Sequence, residues 1–207
     1  MENNLNFWKR VSKLYTPLQE KANRSVYPTI INACLPYMNE EDVALELACG
    51  TGQFSFAFAK HIHHYIASDF CLEMIQEAKK RQTTTAIFQV VDATDIPYED
   101  ETFDVVMIAN ALHIMPDVTS CLHEIQRVLK KDGYAFFITF VYEGKIPTMK
   151  LKLLEKAGFK TYHKWNDQEY RQFIQNEGFE IVDHVLFQAS PLPEALLIVK
   201  KNHAFMV

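Results

Sequence analysis

This chain is poor in the residues that mark specialised architectures. It has six glycines and eight prolines in 207 residues, no repeat at a fixed period and no low-complexity tract, which excludes collagen-like, linker-like and solenoid designs. Its four cysteines, Cys34, Cys49, Cys71 and Cys121, show neither CxxC spacing nor a framework pattern, so reduced thiols in a cytoplasmic protein are the expectation. The longest apolar stretch, Ala135 to Tyr142, is far too short to cross a bilayer. The opening MENNLNFWKR lacks the charged and apolar regions of a signal peptide. Basic charge is also in deficit. With 21 Lys and Arg against 26 Asp and Glu the net charge is −5, which argues against a surface built wholly for nucleic acid.

What is present is ordinary globular composition, 48% apolar and 23% charged, at a length suited to one α/β domain. Strand-like runs at Val43–Leu47, Tyr65–Ser68 and Ala86–Val91 each carry an acidic residue at their end: Glu46, Asp69 and Asp92, spaced 23 positions apart. Helix-like stretches separate them, Phe54 to His61 and then Leu72 to Arg81, the second with Leu72, Ile75 and Ala78 at helical spacing. A fourth run, Phe103 to Ala109, is apolar enough for a central strand covered on both faces. A helix is expected from Asp117, its N-cap, to Lys130, with Cys121, Leu122, Ile125, Val128 and Leu129 on its apolar face. Asp132-Gly133 predicts a turn into a fifth strand, Tyr134 to Val141.

Such alternation predicts a doubly wound, mostly parallel sheet with right-handed crossovers. Ligands of these sheets bind outside the carboxyl ends of the strands, which sets Glu46, Asp69, Asp92 and Asn110 on one rim. Before this core, residues 1–40 hold an amphipathic stretch with Phe7, Val11, Leu14, Tyr15 and Leu18 on one face. After it come a basic helix-like piece, Thr148 to Ala157, and a helix capped by Asn166 or Asp167 with Tyr170, Phe173 and Ile174 inside. Two late strands, Glu180–Gln188 and Glu194–Lys200, are joined across Pro191-Leu192-Pro193, a connection short enough for an antiparallel hairpin. The expected organisation is one domain over 1–207: a helical lid (1–40), a ligand-binding core (41–141), then helices and the strand hairpin (142–207).

The chemistry centres on Glu46-Leu47-Ala48-Cys49-Gly50-Thr51-Gly52, where a strand enters a small-residue turn and opens a helix. Such a turn brings backbone N–H groups against a ligand. A dinucleotide fingerprint wants a third small residue, which Ser55 only half satisfies. Glu46 would repel a pyrophosphate and welcome an ammonium or sulfonium instead. Asp69 is placed to accept hydrogen bonds from ribose hydroxyls, a placement that serves NAD equally. Asp92 can accept from an adenine amino group while the Ala93 N–H donates to the ring, and Phe70 can pack on the adenine face.

Together these stretches resemble the class I S-adenosylmethionine-dependent methyltransferases. The resemblance covers about residues 40–141 and rests on E-L-A-C-G-T-G (46–52), S-D-F-C-L-E-M (68–74), D-A-T-D-I-P-Y (92–98), F-D-V-V (103–106), N-A-L-H (110–113) and E-I-Q-R-V-L-K-K-D-G-Y (124–134). It implies a Rossmann-like, seven-stranded sheet whose last strand is antiparallel. It also implies S-adenosyl-L-methionine as cofactor, S-adenosyl-L-homocysteine as product, and Glu46, Ala48, Gly50, Gly52, Asp69, Phe70, Met74, Asp92, Ala93 and Asn110 as residues that hold the cofactor. F-W-K-R-V-S-K-L-Y (7–15) is similar to the lid helix of the small quinone-biosynthesis and phospholipid N-methylation enzymes, which adds Tyr15 to that set. Two positions depart from the pattern. Ala48 stands where a glycine is usual, and Lys131-Asp132 replaces Pro-Gly before Gly133.

Methyl transfer by in-line displacement needs positioning and exclusion of water more than a catalytic group. Should the acceptor have to lose a proton, His113 is the candidate base, with ordinary packing beside the cofactor as the alternative. The expected partner is a small-molecule or lipid-like methyl acceptor, walled by Phe7, Trp8 and Tyr15, in a monomer or dimer. Residues 143–166 hold six lysines against two glutamates, either a solvated face or a peripheral contact for anionic surfaces over 145–164. His61, His63 and His64 lack a third well-placed ligand, so no metal is expected. The competing functions are a NAD(P)-dependent oxidoreductase and a methyltransferase-like protein that binds without transferring.

Overall fold

The computed structural model describes residues 4–23, 26–81, 84–142, 156, 158–188 and 192–202. Of the basic stretch, Lys145, Lys150 and Lys152 lie outside the described residues, as do the helix expected over 148–157, apart from Lys156, and Pro191 of the hairpin turn. Lys156, Lys160 and Lys164 are exposed.

Seven strands form one sheet: β1 (Val43–Leu47), β2 (His64–Asp69), β3 (Ile87–Val90), β4 (Phe103–Ala109), β5 (Leu129–Phe140), β6 (Phe179–Phe187) and β7 (Glu194–Lys201). Their order is β3-β2-β1-β4-β5-β7-β6, parallel from β3 to β5, with β7 antiparallel to both β5 and β6. The doubly wound, mostly parallel sheet with an antiparallel C-terminal pair is therefore observed. The chain winds outward from β1 to β3 and returns to β4 on the other side of β1, so the order reverses between β1 and β4. That reversal is where such sheets open a crevice.

Alternation along the strands sends side chains to opposite faces. Leu45, Leu47, Val106 and Ile108 pack under Leu122 and Ile125 of helix α5 (Val118–Val128). Ala44, Tyr65, Ala67 and Met107 pack on the other face, against Ile30 of α2 (Tyr27–Cys34), Phe58 of α3 (Ser55–Phe58) and Ile75 of α4 (Leu72–Lys80). Helix α1 (Leu5–Asn23) precedes this core, and α6 (Asp167–Asn176) leads into β6. Among the described residues no helix is long and apolar enough to cross a membrane.

The caps follow the sequence closely. Asp117 accepts from the Ser120 N–H at 3.1 Å, and Asn166 forms a reciprocal capping box with Glu169. Four expectations fail. Helix α3 is one turn, not the stretch Phe54–His61. Leu72 is 52% exposed, and Met74 takes the buried place on α4 beside Ile75 and Ala78. Leu14, expected on the apolar face of α1, is 63% exposed. Asp132-Gly133 is no turn: β5 starts at Leu129 and its register against β4 slips between Phe103 and Val105. Gly133 is needed there for close approach, since a Cβ would lie 2.7 Å from the Asp104 carbonyl oxygen.

Candidate functional site

At the carboxyl end of β1 the backbone turns sharply. Ala48, Gly50 and Gly52 all have positive φ, at +54°, +57° and +86°. The turn is tied to β2: Cys49 N–H donates to the Ser68 carbonyl (2.8 Å), and Gly50 N–H donates to Asp69 Oδ2 (2.9 Å). Asp69 Oδ1 accepts from Cys71 N–H at 2.8 Å. Burial pushes the Asp69 carboxyl up to about 6, against the pull of those two N–H groups. It remains an anion at neutral pH, with lone pairs left for a ligand hydroxyl.

A cavity of about 310 Å³ opens over this turn and the β4 end, at the strand-order reversal. Of the residues singled out in the sequence, Tyr15, Ala48, Gly50, Asp69, Phe70, Met74, Asp92, Ala93 and Asn110 line it. Tyr15 lies so close that a Cβ on Gly50 would meet its ring at 3.3 Å, so the turn is bare backbone under an aromatic cover. Asp92 Oδ1 accepts from the Thr94 N–H and hydroxyl, at 2.9 and 2.8 Å. Among the described residues no lysine or arginine belongs to the lining.

Three candidates lie outside the lining. Glu46, expected to face a cationic ligand, shares its strand face with Ala44 and points under α3, where Ser55 Oγ and Tyr65 Oη (3.0 Å) donate to its Oε2. Burial pushes its carboxyl up to about 8, the two hydroxyls oppose that rise, and Asp69 adds to it. Gly52 shapes the turn from behind: a Cβ there would collide with the Phe56 ring at 2.9 Å. His113 is buried, its Nδ1 2.9 Å from Thr139 Oγ1 and its ring edge-on to Phe140. Burial, then the neighbouring His163, pushes its imidazole down to about 4, so it is neutral.

The N-terminal segment reaches the cavity through Asn4, Trp8 and Tyr15, while Phe7 packs on Phe159 instead. Asn4 had no signal beyond standing one helical turn before Trp8. It clasps α1 to two distant segments, donating to the carbonyls of Ile114 (3.3 Å) and Lys160 (2.9 Å) and accepting from Lys160 N–H (2.8 Å). Met115, Pro116 and Asp117 complete the wall and were also missed. Asp117 was legible only as a cap.

These residues fit an adenosine-bearing cofactor. The bare turn at Gly50 admits close backbone approach, Asp69 offers acceptor capacity, and Phe70 and Met74 supply apolar wall. Comparison with known proteins agrees. The Methyltransferase domain family matches residues 45–137. Demethylmenaquinone methyltransferase of Lactobacillus johnsonii is 40% identical over 131 residues, 59% of this chain and 51% of that one. The Staphylococcus carnosus protein of the same name is 28% identical over 155 residues, 68% of this chain and 61% of its own length. The chain thus spans little more than half the length of these curated relatives. Among solved structures, a chain of the Haloferax volcanii complex between the Trm112 methyltransferase activator and a methyltransferase has a TM-score of 0.80 at 20% identity, covering 96% of each chain. A SAM-dependent methyltransferase of Thermotoga maritima has a TM-score of 0.73 at 21% identity, covering 96% of this chain and 99% of that one. At those identities the likeness establishes the fold. The family model thus matches residues 45–137, and the chain as a whole has the fold of solved SAM-dependent methyltransferases.

Proposed function

We propose that this chain transfers the methyl group of S-adenosyl-L-methionine to a small quinone-like or lipid-like acceptor, with S-adenosyl-L-homocysteine as product. The observation that carries the reading is the cavity at the strand-order reversal, lined by Gly50, Asp69, Asp92 and Ala93 together with Trp8, Ile114 and Met115. The relatives named demethylmenaquinone methyltransferase support a quinone-type acceptor.

When bound, the cofactor supplies an electrophilic methyl on a sulfonium. The chain's own part is to hold, align and dry the site. Asp69 accepts hydrogen bonds from ribose hydroxyls, Asp92 and the Ala93 N–H take the adenine edge, and Tyr15 covers the turn. Burial and the charges of Tyr27, Asp69 and Glu194 keep the Tyr15 phenol protonated, so it can only donate or accept as a neutral group. Trp8, Ile114 and Met115 present an apolar wall to a planar acceptor. His113 we assign to positioning rather than proton transfer. Its carbonyl accepts the N–H groups of Tyr162 and His163, each at 3.0 Å, which holds the 112–114 turn that carries Ile114.

Thermal unfolding with S-adenosylhomocysteine, with NAD(H) and with neither tests the cofactor. Ligand at about 100 times its Kd adds roughly 2.7 kcal/mol, a midpoint rise of about 5–10 °C at this size. We expect the rise with S-adenosylhomocysteine only; a rise confined to NAD(H) would overturn the reading. Transfer of labelled methyl to a demethylated quinol, but not to amines or phospholipid headgroups, then tests the acceptor. Tight cofactor binding with no labelled acceptor in any fraction would favour a binding protein that transfers nothing.

A further inference from the structure

Strand β7 runs against the other central strands, so its first residue, not its last, reaches the ligand rim. That residue is Glu194, paired with Phe140 of β5 and Phe187 of β6 and fully buried. Its Oε2 accepts from Asn110 Nδ2 at 3.0 Å. Among the described residues its Oε1 and the Asn110 Oδ1 are buried acceptors with no hydrogen-bond partner. Asn110 lines the cavity from the end of β4, in a left-handed conformation (φ +54°) that asparagine tolerates better than most residues. The pair is thus an acceptor-rich patch one side chain behind the cavity wall, where burial raises the Glu194 carboxyl and the Asn110 amide N–H opposes that rise.

A buried carboxylate without a counterion is costly, and a cation that comes near it offsets part of that cost. Among the described residues no lysine or arginine belongs to the cavity wall. We propose that Glu194, acting through the wall formed by Asn110, makes the cavity prefer the positively charged cofactor over its uncharged-sulfur product. This rests on the methyltransferase reading above. Cofactor and product share the adenosine, the ammonium and the carboxylate, and differ in charge only at sulfur. In the transfer the acceptor's electron pair forms the new bond to the methyl carbon. The old carbon–sulfur pair returns to sulfur, and the positive charge leaves with the acceptor's proton or stays on the methylated acceptor. The attraction to Glu194 therefore disappears when the reaction is complete, which favours exchange of product for fresh cofactor. Glu194 is a specificity-determining residue in this role and touches no reacting atom.

Calorimetric Kd values for S-adenosylmethionine and S-adenosylhomocysteine on the full chain test this without any acceptor. Glu194→Gln should lower the affinity ratio of cofactor to product by about three- to tenfold, the scale of one buried charge at intermediate range. Its affinity for S-adenosylhomocysteine should change less than about twofold, and Glu194→Asp should keep the wild-type ratio within about twofold. The unliganded melting midpoint of Glu194→Gln should equal or exceed that of the wild type, and Glu194→Met serves as a second neutral variant if it does not. An unchanged ratio in the neutral variants overturns the proposal. So does a parallel loss for both ligands, which would set Glu194 against their shared ammonium. If the wild type binds neither ligand, the methyltransferase reading itself falls, and this one with it.

Discussion

Ala48 explains itself once its backbone is seen. At φ +54° its Cβ crowds the following carbonyl oxygen, a strain of roughly 1 kcal/mol that glycine lacks. This is the position where the sequence departs from the glycine usual in the family pattern. Ala48→Gly should therefore raise the melting midpoint by about 2–4 °C, while Gly52→Ala, at φ +86° and against the Phe56 ring, should lower it by at least as much. Two shifts of the same sign in scanning calorimetry would refute the strain account. Asp69, Asp92 and Ala93 were readable from strand ends alone, because a strand end on a parallel sheet has one rim to face. Glu46 was misread for a related reason. It lies one residue before the end of β1, and the pleat sends it with Ala44 to the α3 side, where Ser55 and Tyr65 wait.

The lid depends on a clasp that no periodicity reveals. Helix α1 meets the cavity through Asn4, Trp8 and Tyr15, a narrow stripe, which leaves Leu14 outside. The aromatic pattern of 7–15 correctly marks a face, and misjudges its orientation by part of a turn. Two hydrogen bonds donated by the Asn4 side chain and one it accepts from Lys160 N–H hold the start of that helix to the segments at Ile114 and Lys160. Asn4→Ala removes them while leaving the sheet intact. Affinity for S-adenosylhomocysteine should fall about three- to tenfold, at roughly 1 kcal/mol for the lost bonds, measured by calorimetry. Unchanged affinity would mean that the lid closes without the clasp. Cap-dependent elements such as α5 and α6 were legible to within a residue or two at their starts, since Asp117 and Asn166 act on backbone only three positions away.

The molecule as a whole should be less stable in mild alkali. Burial raises the Glu46 carboxyl from 4.5 to about 8 and that of Asp69 from 3.8 to about 6. A carboxyl raised in the fold binds a proton that the unfolded chain has released, so its contribution is complete below the unfolded value and is lost as pH rises through the folded one. His113 works in the opposite sense. Lowered from 6.5 to about 4, it withdraws stability as pH falls through that interval, which offsets the carboxyls on the acid side. One imidazole offsets only part of the two carboxyls, so the melting midpoint should fall steadily from about pH 5 to 9, by about 3–7 °C on each side of pH 6.5. Glu46→Gln should flatten that alkaline fall. A wild-type midpoint that holds steady to pH 9 would show that Glu46 ionises without penalty.

The spacing of apolar runs, the acidic strand ends and the two caps set the elements, their parallel winding and the strand-end residues that line the cavity. Those signals act between residues a few positions apart, or follow from one repeated unit of strand and helix. The rest depended on how the units were assembled. The antiparallel entry of β7 carries Glu194 to Asn110, 84 residues away, and the clasp of Asn4 joins Lys160 across 156 residues. Local pattern holds no record of such pairs, because strand order and packing, not chain proximity, bring them within hydrogen-bond reach.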